Sequence, residues 1–255
     1  MVELKTDTEI AAMREAGRVV ARALDAVARH AEPGVPLREL DAVAAGVIAD
    51  AGARPSFLNY QPHFASSPFP GVICTSVNDV VVHGIPDDYR LAEHDLLSVD
   101  CGAELGGFHG DSAVTIPVGG LRDADAKMLE DARSALRAGI EAATAGARMG
   151  DMSEAIGRIG RRGGYGIPAD FGGHGVGRRM HEDPPVPNEG RPGKGFPLRP
   201  GLVIALEPMF MAGGRDGYRI ADDGWSLCTI DGSRAVHVEH TVAITEGGPV
   251  VLTAA

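Results

Sequence analysis

The sequence predicts an α+β fold made of two similar halves. Three observations carry this: helical and strand-like periodicities recur in the same order twice, a two-residue hairpin signal closes the first half, and acidic residues stand on otherwise apolar strands in both halves. At 255 residues the chain is long enough for one large domain or two small ones, with a substantial core. We expect one domain over 1–255, with halves of about 1–120 and 121–255.

Thr6-Asp7-Thr8-Glu9 is a capping-box pattern, with threonine at the cap and glutamate three residues on. Ile10, Met13, Gly17, Val20, Leu24 and Val27 follow at helical spacing, and Pro33-Gly34 must end that helix. A second helix starts near Pro36, which suits a first turn. Leu37, Leu40, Val43, Val47 and Ile48 form its apolar face, and Gly52 marks its end. Residues 53–71 are loop-like and rich in proline and aromatics, which favours a wall of a site. VICTSV and DVVVHGI read as short strands around Asn78-Asp79, the second carrying His83 into a turn.

Two longer strands are then read around Gly106-Gly107, because both loop positions of a tight hairpin favour positive φ. A two-residue loop pairs Leu105 with Phe108, Gly102 with Asp111 and Asp100 with Ala113. Side chains alternate between faces, so Asp100 and Asp111 share one face as diagonal neighbours, with Gly102 leaving space between them. Leu97, Val99 and Cys101 take the other face. On these residues alone, an ordinary hairpin with one buried and one surface aspartate fits equally well.

After Gly119-Gly120 the pattern repeats. A helix runs from Asp123 to about Ala145, and 146–150 breaks it. A second helix with Met152, Ile156 and Ile159 inward stops at Gly163-Gly164. Strands follow over 202–210 and 237–245. Two such halves closing on each other would place a site between them.

The chemistry-bearing residues complete the hairpin pair. Gly172-Gly173-His174-Gly175-Val176-Gly177 sets a histidine among glycines, and His181 follows. Glu207 stands in LVIALEPMF and Glu239 between Val238 and His240. Burying an ionised carboxylate is costly unless it is paired or bound to metal. Nearby sequence offers few lysines or arginines, so a metal is the natural counter-charge. Four carboxylates and an imidazole suit hard or borderline divalent ions such as Mn, Fe, Co or Zn.

The segments VVHGIP (81–86), LLSVDCGAELGGFHGDSAVT (96–115), GGHGVGRRMHEDPPVPN (172–188), IALEPM (204–209) and DDGWSLCTIDGSRAVHVEHTVAIT (222–245) resemble, as a set, type I methionine aminopeptidases of the pita-bread fold. The resemblance implies two pseudo-symmetric halves with antiparallel sheet covered by helices. It implies removal of N-terminal methionine from peptides and nascent chains, with two divalent ions (Co, Mn, Fe or Zn) held by Asp100, Asp111, His174, Glu207 and Glu239. Asp111 and Glu239 would bridge them. Glu207 would be the general base, and His83 and His181 would bind substrate and stabilise the tetrahedral intermediate. Tyr60, Trp225 and Met180, with Phe57 and Phe69, would line the methionine pocket. Phe57 stands where relatives often carry a small residue and Met180 where an aromatic is common. The loop QPHFASSPF is longer than the common form.

The resemblance sets aside three rivals. Xaa-Pro dipeptidases and aminopeptidase P usually carry a large N-terminal domain and an extra histidine before the ligand histidine, unlike Asp170-Phe171-Gly172-Gly173. Non-catalytic interaction proteins on this fold have lost ligands that are all present here. Type II relatives carry an insertion between the last two glutamates, which here are only 32 positions apart. The short N-terminus fits the bacterial form.

The net charge of −11 argues against a general nucleic-acid or anionic-membrane surface, although Arg158, Arg161, Arg162, Arg178 and Arg179 lie close in sequence. Three scattered cysteines form neither a disulfide framework nor a thiolate zinc site. With no signal peptide and no long apolar run, a cytoplasmic monomer is expected, with ribosome contact implied only by the resemblance.

Overall fold

A computed structural model describes residues 2–62 and 65–254. His63 and Phe64, in the long proline-rich loop, lie outside the described residues. The first half runs α1 (Asp7–His30), α2 (Leu37–Asp50), β1 (Arg54–Pro55), β2 (Ile73–Val77), β3 (Val80–Val82), β4 (Leu96–Leu105) and β5 (Phe108–Pro117). The second runs α3 (Asp123–Ala142), α4 (Met149–Gly163), β6 (Gly172–Gly175), β7 (Glu182–Pro187), β8 (Val203–Leu206), β9 (Met209–Met211), β10 (Tyr218–Ile220), β11 (Leu227–Thr229), β12 (Ala235–His237), β13 (His240–Thr245) and β14 (Gly248–Val251).

The helices begin and end for local reasons. Thr6 caps α1 with the reciprocal Glu9 contact of a capping box, satisfying two amides that the first turn leaves orphaned. Pro36 sits at the cap of α2 rather than inside its first turn. The third helix stops at Ala142, slightly short of the sequence reading. Gly164 ends α4 in the left-handed conformation that glycine adopts without steric cost.

In the first half, β4 pairs with β1, β2 and β5, all antiparallel. The apolar faces of α1 and α2 cover this sheet, burying Val20, Leu40 and Ile48 against Leu97, Val99 and Cys101. In the second half, the sheet order is β14-β13-β8-β6-β7. Met128, Leu136, Met152 and Ile156 of α3 and α4 pack on Ile204, Leu206 and Val242 of that sheet. Each half thus buries one sheet face under two helices, the solution expected when both elements have a single apolar side.

The hairpin register is the one the glycine pair predicts. Gly106 and Gly107 have φ of 62° and 85°, as a type I′ turn requires. Leu105 faces Phe108, Gly102 faces Asp111 and Asp100 faces Ala113. The two late strands differ from the sequence reading. The 202–210 segment breaks between β8 and β9, and 237–245 breaks between β12 and β13. Pro208 has no amide hydrogen to continue a ladder, and the amide of Glu239 leaves it to bond Ala113 O in the other half, at 2.9 Å.

The halves are stitched along β5. Thr241 Oγ1 accepts from the Asp111 amide at 3.0 Å and donates to its carbonyl at 2.7 Å. Ser112 Oγ donates to Glu239 O at 2.6 Å, and Thr115 Oγ1 to His237 O at 2.7 Å. Behind β5, α1 approaches backbone to backbone: a Cβ on Gly110 would lie 2.8 Å from Gly17 N. Gly110→Val should therefore lower stability by about 1–3 kcal/mol. Gly46→Ala on α2, where no atom lies within 4 Å of an added Cβ, should be neutral or gain up to about 1 kcal/mol. Thermal melts of the two variants check the contrast.

Candidate metal centre and substrate cavity

Both halves present carboxylates to one cavity of about 300 Å³. From the hairpin come Asp100 and Asp111, diagonal on one face. From the second half come Glu207 and Glu239. Leu206 pairs with His240 on one side of the strand breaks, and Met209 with His237 on the other. The register is the same on both sides, so the two glutamates stand opposite each other and face the same way. His174 arrives on β6, whose glycines let neighbouring backbone close in: a Cβ on Gly173 would sit 2.0 Å from Ala205 O.

His174 Nε2 lies 3.5 Å from Asp111 Oδ2 and 3.9 Å from Glu207 Oε1. Its Nδ1 donates to Gly175 O at 2.8 Å, which turns Nε2 toward the carboxylates; burial lowers the ring's pKa, but Asp111 and Glu207 outweigh it and raise it above the usual histidine value. Ligand-type atoms of Asp111, His174 and Glu239 all fall within 4.8 Å of one another. Asp111 and Glu239 are 3% and 2% exposed. Asp100 Oδ1, Asp111 Oδ1 and Glu239 Oε1 are buried with no hydrogen-bond partner among the described residues. Neutral hydrogen-bonded acids would not leave three such oxygens unsatisfied. The donor set therefore fits divalent cations, through oxygens that otherwise lack a partner.

The titration of these groups follows from burial and crowding. Burial, then neighbouring carboxylates, push Asp100 and Glu239 well above the usual carboxylate range. Burial also raises Asp111, against the pull of His174. Burial works upward on Glu207 too, but the imidazoles of His237, His174 and His181 outweigh it and hold its carboxyl below the usual value. His83 and His181 are driven down to about 4 and about 3, chiefly by burial, and are neutral at physiological pH.

The remaining expected site residues gather around this cluster. His83, in a left-handed backbone conformation at φ 61°, makes edge contacts with Trp225 and Phe171. His181 stacks on Tyr60 at 5.1 Å and lies 4.1 Å from the His174 ring. Phe57, Tyr60, Phe69 and Trp225 line the cavity. Met180 does not reach its surface but packs in the same apolar cluster as Phe57, Phe69 and Trp225. The space beside Gly102 is closed rather than open. A Cβ there would lie 2.9 Å from Ser56 Cβ and 3.0 Å from both Met180 Cε and Phe57 Cε1.

Three contributors were missed in the sequence. Cys74 lines the cavity because β2 pairs it directly with Asp100. Phe171, just before the glycine-histidine loop, walls the cavity beside His83. His237, on β12 two residues before Glu239, turns its Nε2 toward Glu207 at 3.4 Å and Glu239 at 3.9 Å. Its His-x-Glu spacing on an alternating strand was the signal. The arginine run forms no single patch. Arg161 binds Glu189 and Asp216, Arg158 pairs with Glu154, and Arg178 pairs with Glu9 while covering Phe108.

Comparison with known proteins places this geometry in a family. The profile of metallopeptidase family M24 matches residues 11–246, and the chain belongs to that family. It is 47% identical to methionine aminopeptidase 1 of Mycobacterium tuberculosis, over 99% of this chain and 95% of that one. It is 44% identical to methionine aminopeptidase 1 of Bacillus subtilis, over 99% of both. The solved methionine aminopeptidase of Thermotoga maritima superposes with a TM-score of 0.95 at 37% identity, each chain fully covered. A prolidase from Pyrococcus furiosus shares the fold at a TM-score of 0.77 and 24% identity, with 65% of that chain covered. The fold is the pita-bread arrangement of M24 metallopeptidases, and among the described residues no helix is long and apolar enough to cross a membrane.

The crowded acids generate a pH prediction. Asp100 and Glu239 bind protons more tightly folded than unfolded. Their contribution therefore favours the metal-free fold in acid and is lost as pH rises from the ordinary carboxylate range through their raised folded values. Glu239→Gln should raise the melting temperature of metal-free protein at about pH 7 and shrink the gain on adding Mn(II), because one repelling charge is gone. Scanning calorimetry with chelator and with Mn(II) measures both effects.

Proposed function

We propose that the chain removes the N-terminal methionine from peptides and nascent proteins, its two halves acting as one catalytic domain. The observation that carries this reading is the cavity's two-sided chemistry. Acidic and imidazole groups from both halves crowd one wall, and an apolar aromatic pocket of side-chain size forms the other. The named bacterial relatives, similar over their full length, support the same reading. Asp100, Asp111, His174, Glu207 and Glu239 would hold two divalent ions drawn from Co, Mn, Fe or Zn. When bound, such ions supply Lewis-acid polarisation of the scissile carbonyl and lower the pKa of the attacking water.

The protein's own groups do the rest. Phe57, Phe69 and Trp225 bury the methionine side chain, with Met180 packed behind Phe57. Glu207, kept ionised by its imidazole neighbours, takes a proton from the attacking water and delivers it to the departing amide nitrogen. His83 and His181 are neutral, so each can donate a hydrogen bond to the substrate carbonyl and the oxyanion that grows on it. Nascent chains would meet the protein at or near the ribosome, in a cytoplasmic setting.

Purified protein loaded with Co(II) or Mn(II) should release free methionine from a Met-Ala-Ser peptide, and a chelator should abolish this. Glu207→Ala should lower kcat by at least about 100-fold through loss of the general base. Faster hydrolysis of an Xaa-Pro dipeptide than of the Met peptide would contradict the assignment.

A further inference from the structure

His237 is 1% exposed, and its Nε2 is a buried nitrogen without a hydrogen-bond partner among the described residues. Such a group needs an explanation, since an unpaired polar atom in the interior is costly. Its surroundings supply one. The backbone of His237 is held rigidly: its amide lies 3.2 Å from Ser98 Oγ and 3.0 Å from Thr115 Oγ1, and its carbonyl accepts from Thr115. Its ladder pairing with Met209 sets it on the same face as Glu239, two residues on, and diagonal to Glu207. The ring nitrogen consequently points at two carboxylates, 3.4 Å from Glu207 Oε2 and 3.9 Å from Glu239 Oε2. On the other side of Glu207, His174 Nε2 lies 3.9 Å from Oε1. The Glu207 carboxylate is thus flanked by an imidazole at each oxygen. His174 faces one oxygen with its Nε2. His237 can present an N–H.

We propose that His237 is a positioning residue for the peptidase reaction, its Nε2–H donating to Oε2 of Glu207. The bond orients the carboxylate that takes the water proton and leaves Oε1 on the His174 side. The approach needed is small, since 3.4 Å is only slightly beyond a normal N–H···O contact. The inference rests on the aminopeptidase reading for its kinetic arm and is independent of that reading for its spectroscopic arm.

The experiment compares wild type, His237→Gln and His237→Leu in three measurements. Glutamine keeps an N–H donor of similar reach, and leucine removes it. With Mn(II) and a Met-Ala-Ser peptide, H237L should lose about 10–100-fold in kcat, the range expected for a hydrogen-bond partner one step removed from a ligand. KM should stay within about threefold, because the substrate itself is not touched. H237Q should recover to within about tenfold of wild type. Calorimetric titration of the metal-free proteins with Mn(II) should show both variants binding with the wild-type stoichiometry. In 15N spectra of histidine-labelled protein, the His237 signal should report Nε2–H, with and without metal.

Unchanged kcat in H237L overturns the proposal. So does loss of one metal equivalent in both variants with a deprotonated Nε2, which would make His237 a ligand. Equal losses in H237Q and H237L, tracking a lowered melting temperature, would reduce it to a packing residue and overturn it too. If wild type releases no methionine with any metal, the aminopeptidase reading fails by itself. The 15N tautomer then still decides whether His237 donates to Glu207.

Discussion

The structure depends on a seam of hydrogen bonds between its halves. Strand β5 carries Asp111, and the 237–241 segment carries Glu239. Thr241 bonds both backbone groups of Asp111, the Glu239 amide bonds Ala113 O, and Ser112 returns a bond to Glu239 O. These contacts place two ionisable side chains from distant parts of the chain side by side and hold them there. The bonds of Glu239 satisfy backbone groups that the strand break takes out of the ladder, and those of Thr241 satisfy the Asp111 groups on continuous β5.

The same economy of geometry appears in both sheets. In the first half a hairpin ladder puts Asp100 and Asp111 on one face. In the second, a ladder interrupted on both strands at the same level puts Glu207 opposite Glu239. Period-two alternation, the simplest property of a strand, thus delivers four carboxylates to one cavity. Packing then raises three of them above their ordinary proton affinity, and the surrounding histidines hold the fourth below it. That difference marks Glu207, itself one of the groups that would hold a cation, as the one suited to moving a proton. The aromatic wall needs no charge. It is seated on Gly102, where Ser56, Phe57 and Met180 leave no room for a side chain.

Much of this was legible in the residues. The Gly106-Gly107 pair set the hairpin register, and with it the shared face of the two aspartates. The capping box set the start of α1. The two strand breaks were not legible, because LVIALEPMF and HVEHTVAIT each read as one continuous strand, and only Pro208 hinted at an interruption. The position of Cys74 depended on how β2 pairs with β4, a long-range choice that local pattern does not encode. His237 escaped notice because its partners lie on another strand, although its spacing from Glu239 already placed both on one face. The filled space at Gly102 could not be foreseen, since it depends on a loop folding back over the sheet.

The central claim is that residues from both halves together form one cation-binding centre at the seam. Anomalous diffraction from crystals grown with Mn(II) tests it most directly. The account predicts strong scattering peaks inside the cavity, flanked by Asp100 and Asp111 of the hairpin and by His174, Glu207 and Glu239 of the second half. A cavity without a peak at saturating Mn(II), or a peak held by the residues of one half alone, would contradict it.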